Sequence, residues 1–167
     1  MEKENVILFQ KSYDGAPVYD SYNRFKIACT SFPMPKRTAK ELDFNDWHDQ
    51  DGEDGFTPDI IPIKSYDMEI GLSYKGELDV CYTNISTFLN YLDGIDGTKA
   101  RLKIYSVFNG FGRQNVTYKD CSDFEFVKDN EGEHLQFKIT LHVADPRTEI
   151  RPVYSTDGVT VSSLSKI

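Results

Sequence analysis

Side chains able to do chemistry crowd into one short stretch: Asp43, Asp46, His48, Asp49, Asp51, Glu53 and Asp54 fall within twelve positions. Carboxylates at that density suit a hard divalent cation. A calcium-binding EF-hand loop, however, alternates its acids and places glycine sixth. Here Asp49, Asp51 and Glu53 alternate, but Gly52 comes fourth. No metal site is therefore assigned. The stretch reads as a solvated acidic loop, or as one that meets a basic surface on a partner.

The other candidates are weaker. His48, His134 and His142 show no HxH, HExxH or Cys–His pairing, so each reads as an ordinary exposed histidine. Cys29, Cys81 and Cys121 are odd in number and widely spaced, which fits neither a disulfide framework nor a zinc site. They read as small hydrophobes. Gly110-Phe111-Gly112-Arg113 is rich in glycine, but a phosphate cradle needs a helix N-terminus after it, and the following residues read as strand. No GxSxG is present. The reading is of a non-enzymatic chain with no catalytic, cofactor-binding or metal-binding residue.

Charge is unevenly placed. Residues 41–59 hold eight acids and no Lys or Arg. The chain has 27 acids and 19 bases, so the remainder is balanced and the whole net charge of -8 lies in that segment. Such a balance argues against a nucleic-acid binder that works through a basic patch. The segment sits in a longer irregular stretch, 31–62, bracketed by Pro33, Pro35, Pro58 and Pro62 and broken by Gly52 and Gly55. One or two helical turns at 38–42 are the most it can form. A connection of about 30 residues far exceeds the usual loop and is generally functional or disordered. Phe44, Trp47 and Phe56 argue against disorder. The expectation is a long acidic loop or arm over 31–62 that packs poorly on its own domain. Phe44, Trp47, Phe56, Asp51 and Asp54 would contact another subunit.

The elements that carry this arm read as strands. Residues 136–143 alternate without error, with Phe137, Ile139, Leu141 and Val143 facing a core. Met68, Ile70, Leu72 and Tyr74 alternate likewise, as do Leu102 with Ile104, and Phe25 with Ile27 and Cys29. Shorter runs at 6–9, 78–82, 115–118 and 124–127 complete about eight strands, divided at Asp14-Gly15, Lys75-Gly76, Asn109-Gly110 and Glu131-Gly132. Half-polar strands with short turns mean antiparallel pairing. One segment breaks the period: Ile85, Phe88, Leu89 and Leu92 form a helical stripe, with Asn84 as N-cap and Gly94 just past the end. The fold class is mainly β, an antiparallel sandwich or barrel with one short flanking helix over 84–93. The expected core is Phe25, Ile27, Ile70, Leu72, Phe88, Leu89, Leu92, Leu102, Ile104, Phe137, Ile139 and Leu141. Strands 67–74 and 101–107 carry few charges clearly placed to blunt an edge and no Pro, so these or adjacent strands are expected to pair between subunits.

At 167 residues the chain reads as a single domain, with 152–167 as an extended C-terminal tail. No apolar run nears the ~20 residues of a membrane helix. The start, MEKENVILFQ, has no long apolar run, so it does not read as an export signal, and the cytoplasm is the expected place of synthesis.

In order, the punctuation resembles a family. An aromatic precedes an acidic element (Trp47, then Asp51-Gly52-Glu53-Asp54). Lys64-Ser65-Tyr66 and an alternating strand follow, then the helix, then Leu102-Lys103-Ile104-Tyr105. Gly112-Arg113-Gln114-Asn115-Val116-Thr117-Tyr118 and residues 137–148 close the pattern. Over about residues 45–150 this is similar to the tail proteins of long-tailed bacteriophages and prophages: tail tube subunits and the ring domain of distal tail proteins. The resemblance implies two packed antiparallel sheets with a helix at the side. It also implies a homo-oligomeric, hexameric ring, other tail proteins as partners, and DNA that passes through the lumen without specific binding. No cofactor and no membrane partner are implied, and the location would be the bacterial host cytoplasm and then the virion tail. The alternative is a ligand- or carbohydrate-binding β-sandwich, which the aromatic residues could serve.

Overall fold

The computed structural model describes residues 6–42, 44–130 and 132–167; Asp43 of the acidic stretch and Glu131 of the last turn lie outside them. Strands take up 48% of the described residues and helix 13%, so the protein is mainly β. Seven strands form one antiparallel sheet in the order β2 (Val18–Asp20), β1 (Ile7–Lys11), β7 (Leu102–Ser106), β8 (Phe111–Asp129), β9 (Gly132–Val143), β6 (Tyr66–Tyr74), β3 (Ile27–Ser31). Two small hairpins stand apart: β4 (Phe44–Asn45) with β5 (Asp54–Gly55), and β10 (Ile150–Tyr154) with β11 (Val161–Lys166).

Connectivity requires the large sheet to curl. Its outer strands, β2 and β3, are consecutive in sequence and joined by a one-turn helix, α1 (Ser21–Phe25). Six strand spacings in a flat sheet would part those edges by about 29 Å. The short helical link spans only about 9 Å. The sheet is therefore rolled toward a barrel, with α1 across the gap. Asp20 caps α1 by accepting from the amides of Tyr22 and Asn23, and Lys26 ends it at φ 60°.

The longer helix, α2 (Cys81–Asp93), lies along the concave face. Phe88 is fully buried, its ring edge-on to Phe25 at 5.1 Å, Phe9 at 5.8 Å and Phe137 at 6.4 Å. One residue thus ties α1, β1 and β9 to the helix. Gly94 closes α2 at φ 84°, where a Cβ would meet the Lys99 carbonyl carbon at 2.6 Å, so glycine is required there twice over. Lys11 is buried at that same end. Its ammonium donates to the carbonyls of Tyr91 and Lys99 and sits over the Tyr91 ring, a cation placed at a helix C-terminus. Burial lowers its pKa, against Asp96 and Asp93, which raise it.

Several sequence expectations are corrected. The helix begins at Cys81 rather than Asn84, whose amide donates to the Tyr74 hydroxyl at 2.8 Å instead of capping. Residues 78–82 are not a strand: a 3-10 turn (Leu78–Val80) runs into α2, and Leu78, Val80 and Tyr82 are exposed, so no core demanded alternation there. Phe25 belongs to α1, and β3 starts at Ile27. The runs 115–118 and 124–127 are parts of one strand, β8. Bulges disguise it, with Asn115 at φ 58° and Asp123 at φ 61° where the register slips. Of the twelve expected core residues, eleven are buried; Leu89 is half-buried at the rim.

The expected C-terminal tail is instead the β10–β11 hairpin, laid over the convex face. Ile150 and Leu164 pack on Leu8, and the Gln10 carboxamide accepts from the Leu164 amide at 2.8 Å. Leu8 and Gln10 point outward from β1, so a second layer was needed to cover them. Among the described residues no helix is long and apolar enough to cross a membrane.

Candidate subunit interface

The arm leaves the barrel after β3. Its first residues are held by Phe32, whose ring meets Phe111 edge-on at 5.3 Å and whose carbonyl accepts from the Asn109 amide group at 2.8 Å. The two halves of the arm then run antiparallel. Ala39 bridges Ile63, the Lys40 amide donates to Pro62 O at 2.8 Å, and the Lys64 amide donates to Thr38 O at 2.7 Å. Residues 38–42, where the sequence allowed one or two helical turns at most, are thus extended chain, because each half finds its hydrogen bonds in the other. Further out, β4 pairs with β5 through Phe44 opposite Gly55 and Asn45 opposite Asp54. Arg147 donates to Ile61 O and steadies the stem.

The structure brings the five suspected contact residues into this outer hairpin. Phe44 and Asp54 lie on its strands, Phe56 just after it, and Trp47 and Asp51 in the connection between them. All five are exposed, Trp47 at 52% and Phe56 at 80%, so their apolar surface is unspent within the chain. Sequence reasoning missed the stem. Lys36, Arg37, Lys40 and Lys64 are all exposed there, beside Met34 and Ile60, exposed at 73% and 72%. The signal was present as bases immediately flanking the acidic run on both sides.

Strand edges are the second element. The expectation that 101–107 offers a free edge fails: β7 is paired along its length, with β1 on one side and β8 on the other. β6 keeps an open half-edge, because β3 pairs only as far as Gly71. Residues 33–36 run beside Tyr66–Ile70 across a groove of about 360 Å³. Pro33 and Pro35 lack amide hydrogens, so this segment cannot complete the ladder. β8 is likewise unpaired by β7 beyond Val116. Its far part exposes Phe124 and Phe126, the former stacked on Phe137 at 5.4 Å. Around β9, therefore, β6 and β8 each present an unpaired edge at the same level: Asp67 and Thr117 both lie opposite His142.

The outward face of these three strands is polar. Asp67 accepts from Lys119 and pairs with His142 Nδ1 at 2.8 Å. The bonds from Lys119 and His142 hold the Asp67 carboxyl below its usual range. The other histidines sit elsewhere: His134 is buried with Asp129 and Gln136 nearby, and His48 is exposed in the arm. Among the described residues no three His, Cys, Asp or Glu side chains gather closely enough to hold a metal ion. Cys29, Cys81 and Cys121 are free, and burial pushes Cys29 and Cys121 each up to about 11.

The turn after β9 is organised by Asp145. It accepts from the amides of Thr148 and Arg147 at 3.1 and 3.3 Å and from the Gln114 amide group at 3.2 Å. Burial pushes its carboxyl up, but the bonds from Thr148, Gln114 and Arg147 outweigh this and bring it down from 3.8 to about 2. A depressed folded-state pKa gives stability that is present above 3.8 and lost as pH falls toward 2. Asp145→Asn will lower the melting temperature at pH 7. The gap to wild type will close between pH 4 and 2, as scanning calorimetry at stepped pH will show.

No protein-family model matches the sequence, and no curated protein matches it. A solved structure does match in shape: the Dit protein (gp 19.1) of phage SPP1, described as a paradigm of the hub adsorption apparatus in phages that infect Gram-positive bacteria. The TM-score is 0.53 at 15% identity, over 88% of this chain and 53% of the other. The two share a fold. This chain spans about half the length of the SPP1 protein.

Proposed function

We propose that the chain is a structural subunit of a phage or prophage tail, in the tail tube or in the ring at its distal end, and that it assembles as a closed hexameric ring without catalysis. The observation that carries this reading is the fold shared with a phage hub protein across 88% of the chain. The open edges support it. A ring needs heterologous contacts, one surface of each copy meeting a different surface of the next. The β8 and β6 edges are two such surfaces, on opposite sides of one three-stranded ribbon. Joined β8 to β6, the ribbons form a continuous barrel with no free edge. The polar face carrying Asp67, Glu69, Lys119, Lys138 and His142 would then line the lumen, where mixed charge lets DNA pass without specific contact. The arm reaches a neighbouring subunit through Phe44, Trp47 and Phe56, with Asp51 and Asp54 orienting the approach. Native mass spectrometry with electron microscopy of negatively stained particles tests the reading. Six-copy rings with a central hole are expected. A compact monomer at the highest soluble concentration overturns it.

A further inference from the structure

The arm is electrically divided. Every acid of the segment lies at 41–59, with no base among them, whereas 27–40 and 60–66 contain Lys36, Arg37, Lys40 and Lys64 and no acid. Exposed apolar side chains follow the same division: Phe44, Trp47 and Phe56 among the acids, Met34, Ile60 and Ile61 among the bases. Tip and stem are thus complementary in charge, and each carries apolar surface of its own to bury.

They do not meet within one chain. The Ala39–Ile63 bridge and the β4–β5 pairing hold the arm as an extended two-stranded ribbon, and Trp47 and Phe56 stay exposed in it. We propose that the acidic, aromatic tip of one copy's arm docks on the basic, apolar stem of a second copy's arm. This rests on the ring-forming reading and names the surface that the arm reaches. Each copy offers one tip and one stem, so within the proposed ring the arms link head to tail. Burial of the aromatics supplies the attraction, and the charges set direction and register. Like-charged surfaces, tip to tip or stem to stem, repel, which disfavours those two pairings.

Charge reversal tests this. One variant reverses the stem (Lys36→Glu, Arg37→Glu, Lys40→Glu), one the tip (Asp49→Lys, Asp51→Lys, Asp54→Lys), and a third carries all six changes. These positions are exposed, so matched melting curves are expected. Self-association is read by sedimentation velocity over a concentration series at low salt. Each single reversal should weaken it by about tenfold or more, since opposed like charges replace attraction. The six-fold variant and an equimolar mixture of the two reversed proteins should both recover it. Recovery should fade as added salt screens the pairs. Rings that form unchanged with either reversal would overturn the tip-to-stem contact and leave the ring reading standing. Loss by one reversal without rescue by the other would also overturn the contact. A wild-type chain that stays monomeric throughout would overturn both.

Discussion

Truncating Phe88 to alanine will remove a large share of the protein's stability. The side chain is fully buried at a point where both helices and the sheet converge. Its three ring neighbours come from different elements, so no single backbone shift can close the space left behind. A buried Phe→Ala change typically costs about 3–5 kcal/mol, from lost transfer energy and from the residual cavity. Total stabilities of domains are only about 5–15 kcal/mol. For a chain of this size the loss corresponds to a drop of about 10 °C or more in melting temperature. Tyr82→Ala, one turn and a half earlier on α2 and 85% exposed, is the matched control. It should change stability by less than about 0.5 kcal/mol. Urea denaturation followed by circular dichroism measures both. A Phe88→Ala cost below about 1 kcal/mol would show that α2 is not seated on the sheet as described.

Phe88 also shows why much of the fold was readable. Its spacing from Ile85 and Leu92 marked a buried stripe, and all three are buried. The alternation at 136–143 marked β9, whose inward residues are likewise in the core. Such patterns are local, and a side chain's face follows from periodicity alone. What failed was settled by distant contacts or by irregular backbone. Asn84 looked like a cap, but the Tyr74 hydroxyl lies within its reach, and the preceding 3-10 turn had already begun the helix. β8 looked like two strands because bulges at Asn115 and Asp123 shift which residues face inward. The last sixteen residues looked like a tail because their partners, Leu8 and Gln10, lie some 150 positions away. No pattern in residues 101–107 showed that β1 and β8 would take both its sides.

The arm was legible in a different way. Its charge excess, its prolines and its aromatics are compositional, so they marked a segment without giving its shape. The antiparallel ribbon came only from pairing between residues about ten to twenty-five positions apart, such as Asn45 with Asp54 and Ala39 with Ile63. The basic stem escaped notice for a related reason. Lys36, Arg37 and Lys40 look unremarkable in sequence, and Lys64 joins them only when the ribbon brings the two halves together.

Replacing residues 35–59 by a short Gly/Ser linker separates folding from assembly. Among the described residues the core cluster contains none between Phe32 and Tyr66. The arm's links to the body, Phe32 against Phe111, Asn109 on Phe32 O and Arg147 on Ile61 O, lie outside the replaced residues. The replaced protein should therefore keep its cooperative melt, with a change in stability of about 1 kcal/mol or less, as for exposed surface changes. Its assembly should be lost. The linker removes Phe44, Trp47 and Phe56 together, and with them the tip's exposed apolar area that would drive association through the arm. It also removes the acids at 41–59, so the net charge moves from -8 toward zero while Lys64 keeps its place. A smaller charge lowers long-range repulsion between copies. Electrostatics alone would therefore make the shortened protein more prone to associate. A folded monomer under conditions where the intact chain forms rings thus assigns the loss to the arm's contacts. Rings of unchanged size would place all of the assembly energy in the strand edges of β6 and β8. Loss of the cooperative melt would show that the arm belongs to the folding unit, in spite of its exposure.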